Sequence, residues 1–317
     1  MSPRGLLDHK LLFVTGKGGV GKTSVATALG LLAAERGQRT LVCEVDAKGD
    51  LADFFGVGPL TFEPVEVRPK LFAMSMDTEA SLKEYLRLHL KLPLLSRIGP
   101  LARTFDFIAN AAPGVKEILT VGKLTYEVRE RHYDLVVVDA SATGHVVGQL
   151  ASPVAINDLV KVGMVRNQTD WMIEILTDAD TTGVVVVTAP EEMPVSETLE
   201  LIDRLDAETD IAVAAVVVNR VLPELFSRDD EELFERLRGP EPLAVLRERV
   251  GEGVDDVLDG AELAVSLRRG RVPHLSRLRD GLPAGLPVLY LPYLFTRSHG
   301  VRATARIAES LGEELGF

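Results

Sequence analysis

The stretch VTGKGGVGKTS, Val14 to Ser24, constrains this chain more than any other. It fits the pattern G-x-x-x-x-G-K-[ST], with the apolar run KLLFVT before it and a helix-forming run after it. Strand, glycine loop and helix are the context in which that pattern cradles phosphate. Glycines reach φ > 0, so successive N–H groups converge on phosphate oxygens, and the helix behind adds its positive end. Gly16, Gly18, Gly19, Val20, Gly21 and Ser24 are therefore expected around the phosphates of ATP. Lys22 is expected at the β- and γ-phosphates and the Thr23 hydroxyl on Mg²⁺.

The rest of the chain agrees with the fold this loop needs. Short runs rich in β-branched residues recur at 10–15, 40–45, 71–76, 134–139, 183–188, 214–219 and 287–292. They are continuously apolar rather than alternating, which suits a mostly parallel sheet covered on both faces. Helical stretches such as 23–36, 194–206 and 301–315 lie between them, so a doubly wound α/β fold in a single domain of 1–317 is expected. Three stretches exceed simple crossovers: helical insertions over about 78–132 and 153–178, and a charged, glycine-containing one over about 222–286. In the first, Val115, Ile118, Leu119, Leu124 and Val128 fall on one helical face.

Composition removes several function classes. A formal net charge of −12 argues against a bulk electrostatic grip on nucleic acid or anionic lipid. A single cysteine, Cys43, excludes an internal disulfide and fits a cytoplasmic setting. The start MSPRGLLDHK lacks the apolar core of a signal peptide, and the longest apolar run, IAVAAVVV, is too short for a bilayer, so no stable membrane insertion is expected. The six histidines show no ligand spacing.

Lys17 is a second lysine, inside the glycine run. The loop closes on its own nucleotide through Lys22 and backbone amides, so a lysine at the tip points away from that phosphate train. It is either a solvated surface charge or a cation for a nucleotide held by a facing subunit. Further on, Asp46 ends the second strand and Asp50 follows four residues later. A carboxylate at that strand edge can orient the attacking water, and Asp50 can hold a Mg²⁺-bound water or cap the helix that starts there. Asp139 closes the run DLVVVD and is expected near Mg²⁺, with Thr143, Gly144 and His145 behind it as a second switch. Asn219 ends the VVVN run, where it could form a turn.

These motifs carry a resemblance. K-G-G-x-G-K-[ST], matched by Lys17 to Thr23, is similar to the deviant Walker A class of P-loop ATPases, and D-x-x-x-T-G-H resembles the ArsA/guided-entry family within it. That family holds the ATPase subunits of arsenite pumps and relatives that deliver tail-anchored membrane proteins. The resemblance runs through 10–55 and 135–150 and the stretch VVTAPEEMPVSETLELIDRL, then more loosely to the end. It implies a magnesium-dependent ATPase, catalysis by Asp46, Lys17 and Lys22, and an early lysine that acts on the partner's phosphates. It also implies a base-contacting Asn219 and a second base loop over LPYLFTRSHG, with Pro292.

Departures accompany it. Switch I reads Asp46-Ala47-Lys48-Gly49 where the family has D-P-A-H, and Ala142 stands where a proline usually precedes Thr-Gly-His. The C-x-x-C that shares zinc between subunits is absent, as are the metalloid-binding cysteines. The implied function is an ATP-hydrolysing dimer, with an identical or paralogous second subunit, whose helical layer binds a protein client such as a membrane-protein precursor. The candidate surface is the leucine-rich stretch 85–110, with Arg87, Lys91, Arg97 and Arg103, which could equally be a cap packed on itself. An oxyanion-pump motor is one alternative. A ParA/MinD-like spatial organiser is the other, although the tail ARIAESLGEELGF is acidic and poor for anchoring.

Overall fold

A computed structural model describes residues 5–46, 49–90, 114–160, 162–224, 226–251, 253–295 and 300–317. Its centre is an eight-stranded sheet in the order β3-β4-β2-β5-β1-β6-β7-β8. The strands are β1 (Leu11–Gly16), β2 (Thr40–Glu44), β3 (Val65–Arg68), β4 (Leu71–Ser75), β5 (Leu135–Asp139), β6 (Thr182–Thr188), β7 (Val213–Val221) and β8 (Val288–Pro292). All neighbours are parallel except β3 and β4, which pair antiparallel at one edge. β3 escaped the sequence reading because VEVR carries too few apolar residues to register as a buried strand. At an edge, with half of its pairing partners missing, it needs none.

The continuous apolar strands have the reason expected of them. Leu12 and Val14 of β1 face one core, shared with α1 (Lys22–Glu35), α2 (Asp50–Phe55) and α11 (Val301–Glu314). Leu11 and Phe13 face the other, shared with α4 (Val115–Arg129), α5 (Thr143–Leu159) and α7 (Glu192–Glu208). Helix α1 is buried continuously from Val25 to Ala34, so it lies inside the molecule and shows no amphipathic stripe.

Two further helices, α3 (Thr78–Leu90) and α6 (Met164–Thr177), join α4 and α5 in a helical layer. Pro153 does not open a helix, as the sequence suggested; it sits inside α5, which begins ten residues earlier at Thr143. The charged stretch after β7 forms α8 (Arg228–Leu237), α9 (Pro240–Val250) and the 28-residue α10 (Val254–Gly281). Of the leucine-rich stretch proposed as a surface, only 85–90 falls among the described residues; 91–110 lies outside them, as do 47–48 and 296–299.

Candidate nucleotide site

The loop leaves β1 at the carboxyl edge of the sheet, between β5 and β6, where ligands of open α/β sheets bind. Two glycines there are obligatory on steric grounds. A Cβ on Gly16 would stand 2.1 Å from the Val187 carbonyl oxygen of β6. Gly21 caps α1 in the left-handed region at φ 98°, and a Cβ on it would stand 2.3 Å from the Asn219 amide nitrogen. Asn219 is held at both ends: Nδ2 donates to the Val20 carbonyl at 2.8 Å, and Oδ1 accepts from the Arg220 N–H at 2.9 Å. The end of β7 is thereby stitched to the phosphate loop.

Thr23 Oγ1 donates to Asp139 Oδ2 at 2.6 Å. The other carboxylate oxygen, Oδ1, is buried with no hydrogen-bond partner. Burial pushes the Asp139 carboxyl up to about 6; the Thr23 hydrogen bond and the Lys22 charge pull it down, while Glu44 and Asp46 push it further up. A buried oxygen without a donor, beside a threonine hydroxyl, fits a divalent cation reached directly or through water. Among the described residues no group of three or more His, Cys, Asp or Glu side chains could hold a metal alone.

Around this pair the carboxylates of Asp46 and Glu44 are held by hydrogen bonds. Ser141 Oγ donates to Asp46 Oδ1 at 2.9 Å, and the Ser141 carbonyl accepts from Thr15 Oγ1 of β1 at 2.9 Å. Glu44, buried at the end of β2, accepts from the N–H groups of Gly49 at 3.3 Å and Asp50 at 3.1 Å. Ser75 Oγ adds a third hydrogen bond to Glu44 at 3.3 Å. Glu44 thus ties the start of α2 back to the sheet, and Gly49 rather than Asp50 is the helix cap.

The result is a cleft of about 310 Å³ lined by Gly18, Gly19, Gly21, Lys22, Thr23, Ser24, Asp46, Asp50 and Asp139 among the residues expected from sequence. A second cleft of about 190 Å³ shares Ser24, Phe54 and Arg220 with it and adds Asn219, Pro292 and Tyr293. Phosphate and base would thus occupy adjoining clefts. Gly16 and Val20 support the loop from behind, without lining either cleft. Thr143, Gly144 and His145 form the first turn of α5, outside the lining. Lys17 does not line the cleft, and its ammonium pairs with Glu197 of α7.

Four residues that sequence reasoning passed over complete the site. Glu44 carried a signal, a lone carboxylate in the apolar run LVCEV. Ser141 sits inside the D-x-x-x-T-G-H stretch and invited the same attention. Phe54 and Arg220 gave none, although Arg220 adopts φ 61°, an unusual left-handed conformation for a non-glycine residue. Cys43 is fully buried, and burial raises its thiol well above the ordinary range, so it is inert toward a soft ligand.

Comparison with known proteins agrees with this geometry. The sequence profile of the anion-transporting ATPase family matches residues 9–172 and 161–241. ATPase BagA of Mycobacterium tuberculosis is 33% identical over 232 residues, spanning 70% of this chain and 68% of that protein. A Halobacterium salinarum protein whose name ascribes to it the driving of an arsenical pump is 29% identical over 292 residues, spanning 81% of this chain and 44% of its own length. An ATPase ASNA1 homolog of Entamoeba dispar is 26% identical over 273 residues, 70% of this chain and 82% of that protein.

Proposed function

The chain belongs to the anion-transporting ATPase family and hydrolyses ATP, and we propose that it does so as a dimeric switch in which each subunit completes the other's reaction centre. The observation that carries this reading is the pair of lysines on one loop. Lys22 lines the phosphate cleft, whereas Lys17 does not line it and pairs with Glu197 instead. A cation set outside its own cleft suits a phosphate train presented by a facing copy.

Within one subunit the roles follow from the contacts. Backbone N–H groups of the loop and Lys22 bind and orient the β- and γ-phosphates. Thr23 and Asp139 would hold Mg²⁺, which would spread the negative charge of the phosphates. Asp46, aimed by Ser141, orients the attacking water, and Asp50, which lines the same cleft at the start of α2, would bind a water of the cation. Asn219 and Pro292 border the base cleft. The Asn219 amide spends one N–H on Val20 and one lone pair on Arg220, which leaves one donor and one acceptor position for a base contact.

The helical layer is the proposed client surface. Ile118, Leu119, Tyr126, Ile156, Trp171 and Met172 line an apolar cavity of about 410 Å³ between α3, α4, α5 and α6. A protein segment of apolar side chains suits such a wall, and the resemblance of the Lys17–Thr23 and Asp139–His145 motifs to the guided-entry branch makes a membrane-protein precursor the client class to test. A pump-motor role is less well supported, since the one cysteine is buried beyond the reach of a metalloid. Among the described residues no helix is long and apolar enough to cross a membrane. Turnover per chain, measured against protein concentration at saturating ATP and Mg²⁺, tests the switch. A rate that climbs with concentration to a plateau is expected; a flat rate from a species of monomer mass would refute it.

A further inference from the structure

The Lys17 ammonium is not left free at the rim. It is ion-paired with Glu197, on the second turn of α7, and the two side chains keep only 27% and 31% of their exposure. Helix α7 follows β6, the neighbour of β1 on the side away from β5, so the pair spans from the loop tip to the adjoining crossover helix. The loop tip is also tied through its backbone. The Lys17 carbonyl accepts a long hydrogen bond of 3.5 Å from Lys22 Nζ and another of 3.5 Å from the Val20 N–H.

We infer that Glu197 is a positioning residue that holds Lys17 within its own subunit until a neighbour's nucleotide competes for it. The inference rests on the trans role of Lys17 and adds to it a cost of association. The further Lys17 turns to a partner's phosphates, the less of its charge Glu197 keeps, so forming the active pair of subunits weakens this ion pair. A carboxylate is a fitting holder. It carries one charge where a triphosphate carries several, so the phosphates win when both subunits are loaded, and Glu197 wins when the facing cleft is empty. Nucleotide entry loosens the hold from the other side, because Lys22 turning to the phosphates gives up its contact with the Lys17 carbonyl.

This arrangement makes association depend on ATP in two subunits rather than one. Where only one cleft is filled, the other subunit's lysine has a destination but the reverse lysine has none and stays on its own Glu197. The magnitude is modest, because a partly exposed pair of this kind typically contributes a factor of about two to five in an equilibrium.

The test is the dimer dissociation constant, measured by sedimentation with a non-hydrolysable ATP analogue and Mg²⁺, for the full chain and three variants. Glu197→Gln removes the charge and keeps the shape, and is expected to tighten the dimer by about four- to 25-fold, since two such pairs are released per dimer. Lys17→Ala loses the trans contact and weakens it. In the Lys17→Ala background, adding Glu197→Gln is expected to change nothing, since there is no cation left to release. A Glu197→Gln dimer as weak as the parent or weaker would overturn the inference alone. So would the same tightening in both backgrounds, which would mean that Glu197 acts by ordinary charge repulsion at the interface. Failure of the parent chain to associate at all, with Lys17→Ala hydrolysing normally, would instead overturn the trans reading and this inference with it.

Discussion

Asp139→Asn separates what the site needs from what the fold prefers. The carboxyl is raised from 3.8 to about 6, mainly because its charge is buried, so ionising it in the nucleotide-free chain opposes folding. A shift of about two units corresponds to roughly 3 kcal/mol at neutral pH. Asparagine keeps an oxygen to accept from Thr23, but its amide group meets the buried position where Oδ1 has no partner, which costs about 1 kcal/mol. The variant is therefore expected to be more stable than the parent by about 1–2 kcal/mol near pH 8. Because the carboxyl binds its proton more tightly folded than unfolded, the parent loses stability as pH rises from about 4 through about 6. The advantage of the variant grows over that same window, is flat above it and turns into a deficit of about 1 kcal/mol below about pH 4. Urea unfolding of both chains across this range, without nucleotide, reads it directly. Adding ATP analogue and Mg²⁺ should then stabilise the parent far more than the variant. A variant less stable than the parent near pH 8 would refute the view that burial of an unmatched carboxylate dominates here.

Other outcomes follow from the same geometry. Lys22→Ala removes the cation inside the cleft and should weaken ATP-analogue affinity by about a hundredfold in calorimetry; full affinity would contradict the loop assignment. Asp46→Asn should lower kcat by about a hundredfold or more while leaving ATP binding largely intact. Ser141→Ala, which only frees Asp46 from its 2.9 Å hydrogen bond, should lower kcat less, by about tenfold. Gly21→Ala forces a side chain to φ 98° and into the Asn219 amide, so it should destabilise the chain by more than about 2 kcal/mol in urea unfolding.

The sheet was legible because burial on both faces leaves a plain mark: continuous apolar runs such as Leu135–Asp139. Edge strand β3 left no such mark, since an edge needs neither apolar faces nor a full ladder. The start of α5 was hidden for another reason. Pro153 reads as a helix opener, yet a buried crossover helix can carry a proline internally when packing on α7 and the sheet holds it. At the site, the loop and the aspartates were legible because phosphate chemistry fixes both residue type and spacing. Glu44, Ser141 and Glu197 act through hydrogen bonds and ion pairs to residues far along the chain. Glu197 is separated from Lys17 by 180 residues, and no local pattern in α7 announces the pairing.

A mixing experiment tests the shared reaction centre most directly. Lys17→Ala and Asp46→Asn chains should each hydrolyse ATP poorly when alone. In a mixed dimer, the Asp46→Asn subunit donates its intact Lys17 to the subunit that still has Asp46, so one of the two sites is whole. Random association of equal amounts should therefore restore about a quarter of the parent rate. Mixed dimers that form, as seen by differential tagging, and yet hydrolyse no faster than the two variants assayed separately would contradict the account.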